Sequence, residues 1–500
     1  MKTTIEELVE HLQHVKDHGK KCSLLIGAGC SVTAGVPAAQ GFVDLIKTRY
    51  ASSYAKAPEK TYGACMKQLR ENVRRDLVAN HIDKASLNWA HVGIAQLVAN
   101  KYVDRIYTTN FDPLILRACA LVNQYPAVYD FAAATDFVPD MVPTPAVFYL
   151  HGQRSGFKLL NTTEEMEKHA ELIRPVFQKA GEGRMWIVVG YSGENDPLVT
   201  RLVESPHEYG IYWVGYKDNE PAESVRKTLN FDGENRSWLP GYDADRFFAD
   251  LATRLGCFPP DLMGRPFSHL ARTLEQLPPF ELSSGAGDYD PLRKAKEQVG
   301  QAINKYEAQG ETPTGTTASD ASAMLMAGQY DEIIELRPEY ESGKAPNLQE
   351  PLAWAYVMQG YVLSEQAETK TGAEADRLLV QAVEKYAEAL RIKPDTHEAL
   401  YNWGNALLKQ AARKTGAEAH RLRRLASDKY SEVERIAPGY GAYGLACIAA
   451  LAGQSEDCHH WLEQARQHGY LPSREHLESD TDMDPVRQLP WFTAFLTSRQ

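Results

Sequence analysis

Short apolar segments alternate with amphipathic ones through the first half of the chain. Runs of apolar and β-branched residues predict strands at 23–26, 105–108, 146–150, 186–190 and 211–215. Helical spacing separates them, for example over 87–101 and in the segment DADRFFADLATRLG, which Gly256 ends. Buried strands that alternate with helices are typical of an α/β fold. We therefore predict a doubly wound, Rossmann-like parallel sheet over 1–258.

The pattern changes after residue 258. Prolines and a Ser-Gly cluster predict a linker over 259–288 with one short helix, and 289–500 has helical periodicity throughout, apart from a polar break near 310–320. An internal repeat lies in this part. KTGAEADRLL at Lys370 returns as KTGAEAHRLR at Lys414, and Gly360 returns as Gly404, both at an offset of 44 residues. The repeat resembles the tetratricopeptide repeat, which is about 34 residues long, so each copy carries an insertion.

Composition and charge narrow the classes of function. The chain has 500 residues and a net charge of −12, which argues against a general nucleic-acid or acidic-membrane binder. The close arginines Arg421, Arg423 and Arg424 are most simply a solvated helix face. We see neither a leader sequence nor an apolar run long enough to cross a bilayer. The seven cysteines form no C-x-x-C pair, so we expect no zinc site and a reducing, cytoplasmic compartment.

The segment SLLIGAGCSVTAGVP is the first candidate for chemistry. A strand runs into a glycine turn at the start of a helix, an arrangement that brings backbone N–H groups close to a diphosphate. The residues assigned to this contact are Gly27, Ala28, Gly29, Ser31 and Gly35. The alternative is a tight strand–helix turn without a ligand, because such motifs are common.

Polar residues follow three further predicted strands. Asn110 and Asp112 lie in TTNFDP, next to Thr109, and His151 follows the strand in FYLHGQ. The carboxyl edge of a parallel sheet is where ligands bind, and histidine can act as a general base near neutral pH. Asn110 and Asp112 could instead cap the next helix, and a lone histidine is often structural.

The third stretch is GYSGENDP. Gly190, Ser192 and Gly193 would make room there for the adenosine half of a dinucleotide. A plain strand–turn–helix connection, with Pro197 in the first helical turn, is the alternative.

Together these stretches resemble the sirtuin family over about the first 258 residues. The family's Gly-Ala-Gly-x-Ser, Asn-x-Asp and His-Gly elements occur in the same order here. Departures are Ala38-Ala39-Gln40 after Pro37, Thr109 in place of a glutamine, and the absence of zinc cysteines. These departures place in doubt the cleft that holds an acyl-lysine peptide. In these departures the chain resembles a bacterial branch of the family that lacks zinc. Members of that branch commonly consume NAD as defence effectors.

The resemblance implies an NAD hydrolase that releases nicotinamide and ADP-ribose without a metal. His151, Asn110 and Asp112 would be the catalytic residues. Thr109, Gly190, Ser192, Gly193 and the glycine turn would bind NAD, which is a substrate here. The helical repeats would sense a trigger, bind a protein partner or mediate self-association. Two alternatives stay open, namely a deacylase or ADP-ribosyl transferase that recruits its target through the repeats, and a non-catalytic NAD or ADP-ribose binding module.

Overall fold

The computed structural model describes residues 2–133, 142–156, 158–180, 182–193, 196–197, 201–202, 207–216, 220–231, 235–278, 291–307 and 318–497. The chain forms two compact units. The first comprises Met1–Gly310 with Met326–Gly328, and the second comprises Glu311–Leu325 with Gln329–Gln500. The domain boundaries predicted from the sequence, at 258 and 289, divide the chain by proposed role and not by compactness. They stay predictions.

The first unit is built on a seven-stranded sheet in which every pair of neighbours is parallel, in the order β3-β4-β2-β1-β5-β6-β7. This confirms the predicted α/β class. On one side of β1 the chain passes to β2, then to the edge strand β3 and back inward to β4; from β5 it runs outward through β6 to β7, so the order reverses beside β1. The strands are β1 Lys21–Ile26, β2 Val103–Thr108, β3 Ala127–Asp130, β4 Ala146–Tyr149, β5 Arg184–Val189, β6 Ile211–Tyr216 and β7 Arg236–Tyr242.

Helices flank this sheet, and the central strands are buried on both faces. Every residue of β4 and β5 is buried. The Tyr107 and Phe148 rings of neighbouring strands stack at 4.6 Å, beside the fully buried Trp186. The main helices are Ile5–Asp17, Ala39–Arg49, Ala51–Lys56, Tyr62–Lys67, Glu71–Ile82, Trp89–Ala99, Leu114–Leu121, Thr163–Ala180, Glu223–Leu229 and Ala244–Arg254.

The outermost strands β3 and β7 were not predicted from the sequence. β3 is only partly buried, and β7 contains Pro240, which an edge strand tolerates because one of its sides needs no ladder hydrogen bond. The outer side of β7 is itself contacted by the start of the described chain. Lys2 forms a parallel bridge with Trp238, and the Thr3 N–H donates to the Trp238 carbonyl at 3.0 Å.

The predicted linker has two helices where one was predicted, and the helix that follows lies in the part predicted to be helical. Asp261–Gly264 and Pro266–Glu275 are helical, and Pro291–Ala302 continues into the π-helical turn Ile303–Glu307. The Glu307 carboxylate accepts from the N–H groups of Phe267 and Ser268, which joins the two ends of this helical segment. The rest of the predicted linker, 279–290, and most of the polar break near 310–320 lie outside the described residues.

The second unit is helical, as predicted. Its repeat is visible in the packing. A Cβ atom built on Gly360 would meet the Tyr386 ring at 2.5 Å, and one built on Gly404 would meet the Tyr430 ring at 2.6 Å, both pairs offset by 44 residues. The helices are Ala318–Ala327, Tyr330–Glu335, Arg337–Glu341, Gln349–Glu368, Gly372–Ile392, His397–Ala412, Gly416–Ile436, Ala442–Leu451, Ser455–Gln467, Arg474–Ser479 and Pro490–Thr497.

Three further observations bear on the predicted class of protein. Among the described residues, no helix is both long and apolar enough to cross a membrane. All seven cysteines are buried and free. Within the same ranges, no group of three His, Cys, Asp or Glu side chains is arranged to hold a metal ion. The predictions of a metal-free reaction and of a cytoplasmic location are not tested by these findings.

Candidate functional site

Four neighbouring strands in the order β4-β2-β1-β5 end at one edge of the sheet, and their loops carry every predicted site residue. The loops contact one another. The Arg154 N–H, after β4, donates to the Phe111 carbonyl after β2 at 2.7 Å. The Gly29 N–H, after β1, donates to the Gly190 carbonyl after β5 at 2.8 Å. The strand order therefore brings together side chains that are far apart in the sequence.

The glycine turn is packed tightly against the loop after β5. A Cβ on Gly27 would lie 2.5 Å from the Gly190 carbonyl oxygen, and a Cβ on Gly29 would lie 2.7 Å from the Gly190 Cα. Gly190 has a φ of +65° and leaves no room for a side chain of its own. These three glycines are thus required for the close contact of two loops, a role that the sequence analysis did not assign.

Most amides of the turn have acceptors within the chain. The N–H groups of Gly27, Gly29 and Ser31 donate to the carbonyls of Val189, Gly190 and Ala28, respectively. The turn therefore offers fewer free N–H groups to a diphosphate than the sequence predicted. Among the described residues of this turn, the Ala28 N–H has no acceptor.

Ser31 and Asn110 form the centre of a buried hydrogen-bond network. The Asn110 Nδ2 donates to the Gly27 carbonyl at 3.0 Å and to the Ser31 Oγ at 3.1 Å. The Ser31 Oγ donates to the Asp112 Oδ2 at 2.9 Å. These contacts use the amide nitrogen of Asn110, so a contact of this side chain with a ligand would be made by its amide oxygen.

Asp112 is held on both carboxylate oxygens. Besides the bond from Ser31, its Oδ1 accepts from the Leu114 N–H at 3.1 Å, at the start of the helix Leu114–Leu121. Burial raises the pKa of Asp112. The hydrogen bonds act in the opposite direction and lower it, because they favour the charged form. The side chain therefore accepts from the first N–H of the helix, whose N-cap position is Pro113, and also orients Ser31.

His151 lies in the loop directly after β4 and is almost fully buried. Its Nε2 is 3.7 Å from the Asp196 Oδ2 in the loop after β5. Burial lowers the pKa of His151, and the neighbouring Asp196 partly opposes this effect. The following Gly152 has a φ of +92°, and a Cβ there would be 2.1 Å from the Lys158 carbonyl oxygen. A neutral imidazole is the form that can accept a proton.

The remaining predicted residues line the same edge with different degrees of exposure. Gly29, Gly35 and Ser192 are exposed, Ala28 and Thr109 are partly buried, and Gly193 is buried. The Thr109 N–H donates to the Ile26 carbonyl at 3.2 Å, which ties the ends of β1 and β2 together. Their assignment to NAD binding stays a prediction.

Two residues at this site were missed by the sequence analysis. The His91 Nε2 is 3.4 Å from the Ser31 Oγ, and burial lowers the pKa of His91 to about 4. Asn88 caps the helix Trp89–Ala99. Its Nδ2 donates to the Cys30 carbonyl at 2.8 Å, which links this helix to the glycine turn. The cap before an apolar helix was the available signal for Asn88; His91 lay within that apolar helix and gave none.

Comparison with known proteins gives partial matches. Residues 343–446 match the family of the plant-specific mitochondrial import receptor subunit TOM20, which is less than half of the chain. No curated protein matches the chain.

Among solved structures, the chain is similar to a sirtuin studied for the structural basis of substrate affinity, with 15% identity, 51% of this chain and 100% of that chain covered, and a TM-score of 0.29. A Sir2 protein with a p53 peptide and NAD+ is 16% identical. The match covers 51% of this chain and 99% of that chain, with a TM-score of 0.29. Sir2Tm bound to a propionylated peptide gives 16% identity, 51% and 100% coverage, and the same TM-score of 0.29. At these values the likeness carries no argument about function, and membership of the sirtuin family stays a prediction.

Proposed function

We propose that the first unit is an NAD glycohydrolase, which cleaves the bond between ribose and nicotinamide. One observation carries this proposal. Ser31, Asn110 and Asp112 form a single buried network at the edge of the sheet to which the loop of His151 also belongs. These three residues come from two of the three elements shared with sirtuins. A tight turn alone would not require a polar network buried to this degree, since burying polar groups costs free energy unless they are held in hydrogen bonds.

In this proposal the diphosphate lies at the exposed part of the glycine turn. Gly29 is exposed there, and the Ala28 N–H is the turn amide that a phosphate oxygen would accept from. Ala28 is the first residue of the 3₁₀ turn Ala28–Cys30, which follows the end of β1. The adenosine half would lie toward the loop of Gly190, Ser192 and Gly193, and Thr109 and Gly35 would complete the pocket.

The bond that breaks joins C1′ of the ribose to the nicotinamide nitrogen. The electron pair of that bond leaves with nicotinamide, and positive charge develops on the sugar. The Asp112 carboxylate, fixed by Ser31 and Leu114, stabilises this charge through its field. The Asn110 amide oxygen accepts a hydrogen bond from the incoming water or a ribose hydroxyl.

His151 would take the proton of the attacking water, whose oxygen forms the new bond to C1′. The imidazole is neutral before this step because burial lowers its pKa. The products are nicotinamide, ADP-ribose and a proton that His151 returns to solvent. NAD is consumed as a substrate, and this sequence of steps uses no metal.

The helical unit would act on this reaction from outside the site. We propose that its repeats bind a protein partner or a second copy of the chain, because stacked helix pairs present extended surfaces. In a defence effector, such contact would couple a trigger to NAD loss. Deleting 289–500 should therefore change assembly or regulation while the remaining residues 1–288 keep their ability to bind NAD.

The test is nicotinamide release from NAD by the purified full-length protein. We expect release with NAD alone, and a loss of at least about 100-fold in His151→Ala and in Asn110→Ala, since a general base contributes about 10²–10⁴-fold. His18 is an exposed histidine at the C-cap of the first helix, so His18→Ala is the matched control and should keep full activity.

Two results would contradict the proposal. Release that requires an added acyl-peptide would indicate a deacylase. A folded protein that binds NAD without releasing nicotinamide, both when purified and when expressed in cells whose NAD is measured, would indicate a binding module. Full activity in either alanine variant would disprove the role given to that residue.

A further inference from the structure

Asp196 lies in the segment GYSGENDP and is the carboxylate that faces the proposed general base, although the sequence analysis gave it no role. Its Oδ2 lies 3.7 Å from the His151 Nε2, and the two side chains are only 10% and 9% exposed, respectively. A charged group buried to this extent is costly unless it is paired. The pair is therefore more than a surface contact between two loops.

The strand order makes this contact notable. His151 follows β4 and Asp196 follows β5, and β2 and β1 lie between these strands. Neighbouring strands are about 4.8 Å apart, so the starting points of the two loops are separated by about 14 Å. The loops must extend toward each other across the ends of β2 and β1, where Asn110 and the glycine turn lie.

Other titratable groups surround this pair. His169 lies on the helix Thr163–Ala180. Its pKa is lowered to about 4, mainly by burial and in smaller part by the nearby His151. Tyr191, next to Gly190, is buried beside Asp196, and burial and this carboxylate together raise its pKa. Both groups are therefore neutral near pH 7. Of these three neighbours, Asp196 is the one with a carboxylate beside the imidazole.

We propose that Asp196 is a positioning residue that holds the imidazole of His151 and stabilises the imidazolium formed when His151 takes the proton of the attacking water. The proposal rests on the proposed hydrolysis of NAD. Asp196 touches neither the sugar nor the water. It acts through the charge of its carboxylate, which lies 3.7 Å from the Nε2 of the ring and balances the new positive charge, so that the other nitrogen takes the proton.

The experiment compares Asp196→Asn with Asp196→Glu and with Asp83→Asn in the full-length protein. Asp83 is a matched control because it pairs with Arg154, three residues after His151, at 3.0 Å on the surface. For Asp196→Asn we expect kcat to fall at least about tenfold while KM changes little. In the pH profile of kcat/KM for this variant, the acidic limb should move to lower pH, because loss of the carboxylate makes the imidazole of His151 harder to protonate. Asp196→Glu should retain the position of that limb, and Asp83→Asn should behave as the wild type.

A second readout does not depend on activity. The ¹³C-labelled imidazole signal of His151, identified by its absence in His151→Gln, should titrate at lower pH in Asp196→Asn than in the wild type. An unchanged midpoint, or an unchanged kcat in a folded Asp196→Asn, would overturn the inference. If the midpoint shifts but the wild type releases no nicotinamide, the pairing stands and the proposed hydrolysis fails, so the two failures are distinguishable.

Discussion

The edge of the sheet and the helical repeat are stabilised in different ways. At the edge, each contact joins different residues from distant parts of the chain, as between Ser31 and Asp112 or between Gly27 and Gly190. In the repeat, one kind of contact, a glycine against a tyrosine ring, occurs twice at the same offset. The polar network has no counterpart 44 residues away, whereas the glycine–tyrosine pair does. The difference indicates that chemistry should be sought in the contacts that occur once, and assembly in those that recur.

The largest expected effect is at the glycine turn. In Gly27→Ala the new methyl group would lie 2.5 Å from a backbone oxygen and 2.7 Å from the Tyr191 Cα, and backbone cannot move aside as a side chain does. We expect the free energy of unfolding of the first unit to fall by about 3 kcal/mol or more, as measured by urea denaturation.

Gly300→Ala is its control, because nothing lies within 4 Å of a Cβ there and the residue is inside the helix Pro291–Ala302. It should stabilise by about 0.5–1 kcal/mol. Equal effects of the two substitutions would show that the tight packing of the turn is not what holds the loops together.

Acid should weaken the sheet edge more than the repeat. The pKa of His91 is lowered to about 4 from the ordinary 6.5, so the unfolded chain binds a proton more readily between these values. The stability that the neutral histidine provides is complete above pH 6.5 and is lost as the pH falls toward 4. At pH 5 this loss is about 2 kcal/mol.

Urea midpoints at pH 7 and pH 5 check this. His91→Gln, which keeps a hydrogen-bonding group near Ser31 but does not titrate, should show a smaller drop than the wild type. In the repeat, burial raises the pKa of Tyr386 to about 12, so this group stays neutral in acid. A wild-type drop equal to that of His91→Gln would contradict the prediction.

The smallest effect is a difference between the two copies of the repeat. Tyr430 lies against Gly404 on one side and against Gly444, at 2.5 Å from a Cβ, on the other, and its OH donates to the Asn405 Oδ1 at 2.6 Å. Because Tyr430 is held on both sides, it cannot yield to a methyl group as readily as Tyr386 can. We expect Gly404→Ala to cost about 1 kcal/mol more than Gly360→Ala in thermal or urea unfolding. Equal costs would indicate that the copies are equivalent despite their neighbours.

The sequence was sufficient to predict the inner strands but not the outer ones. The runs predicted at 105–108 and 211–215 lie within β2 and β6, because strands buried on both faces have continuous apolar sequences. β3 and β7 lie at the two edges, where part of each strand faces solvent and the apolar signal is interrupted. The prediction therefore failed where burial, which produces the signal, is incomplete.

The site shows a similar limit. Ser31, Asn110 and Asp112 were found because they belong to short motifs, and the structure joins them by hydrogen bonds. Asp196 and His91 lie in segments that the sequence analysis used, but their contacts with His151 and Ser31 are tertiary. Such contacts depend on strand order and on loop direction, which are not encoded in the spacing of any one segment.

The pairing of Lys2 and Thr3 with β7 has a consequence for the behaviour of the protein in solution. An uncovered strand edge offers unpaired backbone groups to strands of other molecules and so promotes aggregation. Here the Thr3 amide occupies one such group, and the Lys2 ammonium lies 5.9 Å from the centre of the Trp238 ring. A positive charge at this place repels an incoming copy of the same strand. The residues ahead of the first helix thus shield this side of the sheet from intermolecular strand exchange.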